Sequence, residues 1–598
     1  MFGPARPINA GNCLNTLTIR ESATLAGKQI MKIRIVFGVI AVIGLAFGIS
    51  QAPAPTTSSY IVQGESAESI AAIVQSAGGE ITHELGIIRS VGATLTSSEA
   101  ARLRTHAGVR RVYANESVEV AGKKDKTDSS NSGSSGGNNL ALETHYPTLA
   151  RADQVHAMGI NGDGVGIAVL DSGLWKHEGI KNDETGNLRL NVVYNAMTDE
   201  VAANPLSGSD PAGHGSHITS IAVSSIVSDS GRYNGIAPGA HLISVQAFNE
   251  QGDGTYADVI RAIDWVVANR KKHKINILNL SFSAEPRSHY WDDPINQAVM
   301  VAWQKEIFVV AAAGNGGPDP MTIGVPGNVP YVLTVGAMTD NYTPTDGSDD
   351  VLASFSAAGP TTEGFVKPDV VAPGGHMLGL MDGNSYLANT YPSFYYEGRY
   401  FSMSGTSQAT ALVAGIAALA LQYDPSLSVD QLKCKLMASA RPAVAADGSL
   451  AYSVFQQGAG LTDAYAAVHS LETDCANNGL HLDNDIDGVQ HFGGRANVDE
   501  NGNYYLMGLD GYLWTNGYLS TDGYLWTDGY LWTDGYLWTE GYLWTDGGVN
   551  TEGYLWTDGG GVSVDGYLWT DGGVSIDGYL WTDTGTEMAT MSTWVDQE

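Results

Sequence analysis

The sequence has few cysteines and few cationic residues, and each shortage removes a class of function. Only three cysteines occur among 598 residues, none with the CxxC spacing of a zinc site. One disulfide between Cys434 and Cys475 remains possible, but three cysteines are too few for a dense disulfide framework. Lys and Arg number 31 against 64 Asp and Glu, a formal net charge of -33. This balance argues against nucleic acid as a partner.

Long hydrophobic runs are also scarce, and the one strongly apolar run lies at residues 35–49. Lys32 and Arg34 precede it and small residues follow it, which predicts a secretory signal peptide in a leader at 1–52, with translation starting at Met31. The run is short for a transmembrane helix, and an uncleaved membrane anchor is the alternative. We therefore expect export to the medium, the periplasm or the cell surface.

Changes in composition divide the rest of the chain into segments. Strand-like and helical patterns at 58–120 predict a small α+β module, and the polar stretch at 121–145 predicts a linker, because it cannot bury a core. At 146–472, short apolar runs alternate with helical periods. This pattern predicts an α/β domain whose mainly parallel sheet carries helices on both faces. Residues 473–510 indicate an acidic linker, and 511–583 a repeat tail.

The tail holds nine near copies of Gly-Tyr-Leu-Trp-Thr-Asp. A six-residue period fits strand alternation interrupted by Asp-Gly turns, so small hairpins or a stacked β array are expected. A disordered low-complexity spacer is the alternative. The functional hypothesis for the tail is an aromatic array that binds a surface or a polysaccharide.

Three short motifs supply the parts of an activated serine nucleophile. Asp171 ends a buried strand, where parallel sheets build their sites, and suits an orienting carboxylate. His214 lies between two glycines before an apolar helix and suits a general base. Ser407 begins a helix, where backbone N–H groups favour developing negative charge. The three side chains together predict nucleophilic catalysis.

In this chain order the motifs resemble the subtilisin family of serine peptidases, over roughly residues 146–471. The segments Asn279-Leu-Ser, Ala312-Ala-Gly-Asn and Lys367-Pro-Asp match further family motifs. The resemblance implies that Asn315 and the Ser407 backbone N–H form an oxyanion hole. It also implies a set of substrate-binding residues. These are Ser281, Phe282, Ser283, Ala313 and Gly314.

The module at 58–120 resembles the family's inhibitory propeptide of the inhibitor I9 type, with its Gly78-Gly79 turn and closing segment at 108–113. The implied protein is a secreted serine endopeptidase that forms an acyl-enzyme, acts on proteins or peptides and is synthesised as an autoprocessed precursor inhibited by its own propeptide. In this family the second histidine of the motif, here His217, is structural. The chemistry requires no cofactor, and family members often carry structural calcium.

A weak calcium motif lies at 483–488, where the sequence is Asp-Asn-Asp-Ile-Asp-Gly. Asp483, Asp485 and Asp487 have the alternating spacing of oxygen ligands. Position twelve of such a loop is Gly494 instead of a bidentate Glu, so the loop is incomplete. An acidic turn is the alternative interpretation.

Two other functions are compatible with the sequence. One is a surface or matrix protein in which the tail acts and the peptidase-like domain is a scaffold. The other is a processing protease of narrow specificity. Ser283 stands where the family often has a glycine in the specificity pocket, and a Tyr-rich insertion at 386–400 either narrows the cleft or lies away from it. The sequence therefore leaves cleavage specificity open.

Overall fold

The computed structural model describes residues 56–115, 143–343, 347, 349–445, 449–499 and 502–506, with the backbone of short strands between 518 and 591. The predicted leader at 1–52 and most of the predicted linker at 121–145 lie outside these residues. Within the described part of the chain, no helix is both long enough and apolar enough to cross a membrane.

The amino-terminal module is a four-stranded antiparallel sheet with two helices packed on one face. Ser66 and Thr96 start these helices, each with a reciprocal capping box. The sequence does not mark the strand Glu80–Leu85 clearly, because only Ile81 and Leu85 among its residues are apolar. In sheet order the strands are Glu80–Leu85, Ser90–Thr96, Thr57–Gly64 and Val109–Ala114, and the helices are Ala67–Ser76 and Ser97–Arg104.

The second unit is built on a nine-stranded sheet in which seven strands are parallel. Its central strand, Gly166–Asp171, is buried at every position. Successive side chains of a strand point to opposite faces, so both faces of the sheet are covered. In spatial order the parallel strands are Val370–Pro373, Leu333–Thr339, Phe308–Ala312, Ile275–Leu280, Gly166–Asp171, His241–Gln246 and Leu190–Asn195, with Val351–Leu352 and Glu200–Val201 pairing antiparallel at the edges.

Two pairs of helices pack on this sheet. His214–Val223 packs against Thr406–Tyr423, and Tyr256–His273 packs against Pro294–Gln304. Both pairs contact strands of the sheet, so each forms part of the cover. The predicted α/β architecture is confirmed. The remaining helices include Tyr146–Leu149, Ala152–His156, Glu178–Lys181, Tyr386–Thr390, Val429–Ala438, Val454–Gln457, Ala464–His469 and Leu482–Ile486, and a small sheet contains Met377–Leu380, Tyr400–Met403 and Tyr395–Tyr396.

The stretch that the sequence indicates as an acidic linker packs on the second unit. Cys434 and Cys475 form a disulfide. The Asp485 carboxylate, in helix Leu482–Ile486, accepts hydrogen bonds from the hydroxyls of Tyr290 and Tyr331 at 2.5 and 2.9 Å. Further along, Ala496–Val498 and Tyr504–Leu506 pair antiparallel. The described part of this stretch is therefore an extension of the folded unit.

In the repeat tail the described strands pair in parallel, each with the third strand further along the chain. Tyr518 lies opposite Tyr536, and Tyr524 lies opposite Tyr542. Hairpins would require antiparallel pairing, so these pairs match the stacked array among the alternatives. The strands form three three-stranded sheets: Tyr518–Leu519, Tyr536–Leu537 and Tyr554–Leu555; Tyr524–Thr527, Tyr542–Thr545 and Leu568–Thr570; Tyr530–Thr533, Gly548–Thr551 and Val574–Ile576.

Candidate active site

Asp171 and His214 form a buried couple at the carboxyl edge of the sheet. Asp171 is the last residue of the central strand, and His214 is the first residue of helix His214–Val223. The His214 Nδ1 atom lies 2.8 and 2.9 Å from the two carboxylate oxygens of Asp171. The carboxylate accepts a hydrogen bond from Nδ1, so the proton of the neutral imidazole lies there. Nε2 is left with a lone pair, as a general base requires.

Gly213 allows the chain to enter this helix. Its φ is 99°, a value that favours glycine, and a Cβ at this position would lie 2.6 Å from Ser385 Oγ. The Tyr-rich insertion packs on this same loop: the Tyr386 N–H donates to the Pro211 carbonyl at 2.7 Å. The insertion therefore supports the loop that carries His214.

Ser407 lies fully buried in the first turn of helix Thr406–Tyr423. Its Oγ donates to the Ser281 carbonyl oxygen at 3.0 Å, and Ser281 Oγ donates to the Ser407 carbonyl oxygen at 3.0 Å. The His214 Nε2 atom is buried and has no hydrogen-bond partner in the described part of the chain. The Ser407 hydroxyl must therefore break its hydrogen bond to Ser281 before it can donate one to His214. Catalytic hydrogen bonds often form fully only when substrate binds.

Asn315 follows strand Phe308–Ala312 and points its amide toward the start of the Ser407 helix. Its Oδ1 accepts hydrogen bonds from the Thr406 N–H and hydroxyl, both at 2.9 Å. Its Nδ2 lies 3.3 Å from the position of a Cβ built on Gly405. The two bonds to Thr406 fix the orientation of the amide, with its oxygen toward Thr406.

The residues expected to bind substrate surround this point. Phe282–Ser283 forms a short strand directly after Ser281. The Phe282 side chain is fully buried, with its ring 5.4 Å from that of Phe248, so substrate would meet its backbone. Ser283 lies beside the next segment, because a Cβ on Gly314 would stand 2.9 Å from its Oγ. Ala313 is buried in the same segment.

Asp210 is a buried carboxylate that lies outside the three catalytic motifs of the sequence. Its Oδ1 accepts from Ser172 Oγ and the Gly213 N–H, at 2.7 and 2.9 Å. Its Oδ2 accepts from the N–H and hydroxyl of Ser216, at 2.7 and 2.6 Å. Burial raises the pKa of Asp210 above its usual value. The only signal in the sequence is an acidic residue four positions before His214.

His217 occupies a structural position. Its Nε2 lies 3.1 and 3.0 Å from the carbonyl oxygens of Met377 and Phe401 and donates between them. Burial lowers the pKa of His217 to about 4, so the ring is neutral at ordinary pH. Gln408, from the Ser407 helix, lies 3.5 Å from its Nδ1. The ring thus connects the first turns of helices His214–Val223 and Thr406–Tyr423. This position is structural, and His214 remains the candidate general base.

The calcium motif is not assembled. Asp483 accepts a hydrogen bond from Gln304, Asp485 is buried against tyrosine hydroxyls, and Asp487 is exposed, 4.0 Å from an Arg89 nitrogen. Across the described residues, no group of three or more His, Cys, Asp or Glu side chains could hold a metal ion. The three aspartates lie in and directly after a short helix instead of lining a loop.

The chain is similar in sequence to proteins of a known family. The model described as the subtilase family matches residues 162–462, which contain all three proposed catalytic residues. Serine protease AprX of Bacillus subtilis (strain 168) is 40% identical over 279 residues, covering 46% of this chain and 60% of AprX. Subtilisin DY of Bacillus licheniformis is 31% identical over 294 residues, covering 49% of this chain and 89% of that protein.

Among solved structures, fervidolysin from Fervidobacterium pennivorans, described as a keratinolytic enzyme related to subtilisin, matches with a TM-score of 0.52. Its identity is 21%, and the match covers 70% of this chain and 62% of fervidolysin. At this identity the match supports the fold alone. The chain thus spans somewhat less than two thirds of both AprX and fervidolysin.

Proposed function

Because the chain belongs to the subtilase family, we propose that it is an exported serine endopeptidase made as a self-processing precursor. One observation carries the proposal. The Asp171–His214 couple, with Nδ1 2.8 Å from the carboxylate, lies at the start of helix His214–Val223, which packs against the helix that holds Ser407. A scaffold protein has no need to retain this set of groups.

In the proposed reaction, His214 Nε2 takes the proton of Ser407 Oγ as that oxygen attacks a peptide carbonyl. Asp171 holds the imidazole and stabilises the imidazolium. The negative charge on the carbonyl oxygen is stabilised by Asn315 Nδ2 and the Ser407 N–H. The peptide C–N bond then breaks, His214 returns the proton to the leaving amine, and water hydrolyses the acyl-enzyme. These protein groups perform the chemistry without a cofactor.

The amino-terminal module supports the precursor part of the proposal. One face of its sheet packs on the second unit, since Ile61, Leu85 and Ile88 belong to the main core. Arg111 pairs with Asp292 at 2.8 Å between side chains that are both mostly buried. Such an interface suits a propeptide that assists folding and then inhibits.

Further polar bonds tie the module to the helix pair Tyr256–His273 and Pro294–Gln304. The Tyr113 hydroxyl donates to the Asp292 carbonyl at 3.1 Å. His83 Nε2 lies 3.1 Å from the Asp258 carboxylate. We propose that self-cleavage within residues 118–145 releases the module and that the signal peptide exports the precursor. The repeat tail is proposed to bind a surface or a polysaccharide.

Replacement of the nucleophile tests the function. Wild type and Ser407→Ala are compared by gel mass, casein hydrolysis and labelling with a fluorophosphonate. We expect wild type to shorten within 118–145, to cleave casein and to be labelled, whereas Ser407→Ala stays full length and inactive. Ser426→Ala, at an exposed loop position, is the matched control and should behave as wild type. A wild type that stays full length, unlabelled and inactive would refute the proposal.

A further inference from the structure

The strand next to the nucleophile pairs with the carboxyl-terminal end of the chain. Phe282–Ser283 is antiparallel to Thr590–Met591, with Phe282 opposite Met591 and Ser283 opposite Thr590. In the described part of the chain these two strands form a sheet of their own. The carboxyl-terminal segment therefore lies along the edge at which substrate is expected to bind.

The direction of this pairing leads to Ser407. Ser281 precedes Phe282, and its carbonyl oxygen accepts the hydrogen bond of Ser407 Oγ at 3.0 Å. The antiparallel pairing runs from Ser283 and Thr590 to Phe282 and Met591, and so proceeds toward Ser281. A backbone that runs along Phe282–Ser283 in this direction thus brings its next peptide group toward the nucleophile, as a substrate must.

Main-chain pairing with an edge strand requires no particular side chain, because the hydrogen bonds come from the peptide groups. Roughly 80 residues join Leu506 to Thr590, so the paired segment belongs to the same chain as the edge strand. Because the segment is tethered, its pairing with the edge is an intramolecular event, with an effective concentration set by the length of the linker.

The described part of the amino-terminal module, residues 56–115, contacts the unit elsewhere. It uses Asp292 and the helix pair Tyr256–His273 and Pro294–Gln304, as described above. Removal of the amino-terminal module leaves the partner of Phe282–Ser283 attached at the other end of the chain. The described residues of the module and the strand Thr590–Met591 thus contact the unit at separate places.

We propose that the carboxyl-terminal segment around Thr590–Met591 is an intramolecular, substrate-like ligand of the active site and competes with substrates for the Phe282–Ser283 edge. This rests on the proposed peptidase function, since the edge is a substrate site only in a peptidase. This segment is then a second internal ligand of the enzyme besides the propeptide. It remains attached after the propeptide is cut away.

The test compares full-length chains in hydrolysis of a short fluorogenic peptide. Thr590→Pro combined with Met591→Pro removes both backbone N–H donors of the paired strand. Thr584→Pro combined with Thr586→Pro is the matched control, because it places the same change just upstream of the pair. We expect KM to fall at least about twofold in the first variant, with kcat unchanged, and to stay at the wild-type value in the control.

A second measurement uses a chain ended after Glu587. We expect the same fall in KM, and competitive inhibition of this shortened enzyme by a synthetic peptide of residues 588–598. If KM is the same in all chains while the peptide is still hydrolysed, the proposal is overturned and the peptidase function stands. An equal fall in the control variant also overturns it. If none of the chains hydrolyses the peptide, the proposed function itself fails, and this inference with it.

Discussion

Asp210 holds the loop that positions His214, and Asp210→Asn tests that role. Each carboxylate oxygen of Asp210 accepts one hydrogen bond from a backbone N–H and one from a hydroxyl. Oδ1 accepts from the Gly213 N–H and the Ser172 hydroxyl, and Oδ2 accepts from the N–H and the hydroxyl of Ser216. An asparagine has only one acceptor oxygen. Whichever way its amide turns, one backbone N–H faces an NH₂ group and loses its acceptor. That N–H belongs to a residue one or two positions from His214.

The magnitude follows from this geometry. An unsatisfied buried N–H costs about 1–3 kcal/mol, which in a unit of this size corresponds to a fall in Tm of roughly 1–4 °C. Displacement of a catalytic group by about 1 Å can cost about 100-fold in rate. We therefore expect kcat to fall about 10- to 100-fold, with a smaller change in KM, because the imidazole shifts while the substrate edge does not.

The assay measures kcat per active site, with sites counted by fluorophosphonate titration, so that misfolded enzyme does not enter the value. Tm is measured in the Ser407→Ala background, where self-digestion cannot occur. Asp293→Asn is the matched control. Asp293 is also buried, but its Oδ1 accepts both backbone N–H groups, from Ile295 and Asn296, and an asparagine oxygen can do the same.

We expect Asp293→Asn to keep wild-type kcat and most of the stability. Two results would refute the reasoning. One is a wild-type kcat in Asp210→Asn, which would show that the carboxylate does not position His214. The other is an equal loss of kcat in both variants, which would show that any buried Asp to Asn change has this effect.

Three further predictions concern the oxyanion hole, the buried histidine and the disulfide. Asn315→Ala should lower kcat about 100- to 1,000-fold with little change in KM for a fluorogenic peptide, because it removes one oxyanion donor; an unchanged kcat would contradict that role. His217 has its pKa depressed to about 4, so between pH 6.5 and 4 the unfolded chain binds a proton that the folded chain does not, and stability falls as pH drops through this window. His217→Gln should remove up to about 3 kcal/mol of that pH dependence in urea unfolding of the Ser407→Ala background; an unchanged pH slope would count against it. Replacing Cys434 and Cys475 together by serine should lower the free energy of unfolding by about 2–4 kcal/mol, because the bridge closes a loop of sequence separation 41, and an unchanged urea midpoint would show that the loop is held by other contacts.

The sequence by itself determined the α/β architecture and predicted the catalytic residues from three short motifs. Asp171 follows an apolar strand and Ser407 begins an apolar helix, and both patterns arise from short-range burial and backbone preferences. The comparisons confirm the family, and the structure joins Asp171 to His214 as the motifs predict.

Tertiary structure alone decided the contacts that join segments distant in the chain. Asp210 stands out only once the loop folds over Ser172 and Ser216. The stretch at 473–499 has an acidic, linker-like composition, yet Asp485 is buried against Tyr290 because the disulfide and tyrosine hydroxyls hold it there. Composition and periodicity report which residues favour burial, not which partner they meet. The pairing of Phe282 with Met591 has no sequence signal for the same reason, since backbone hydrogen bonds are available to every residue.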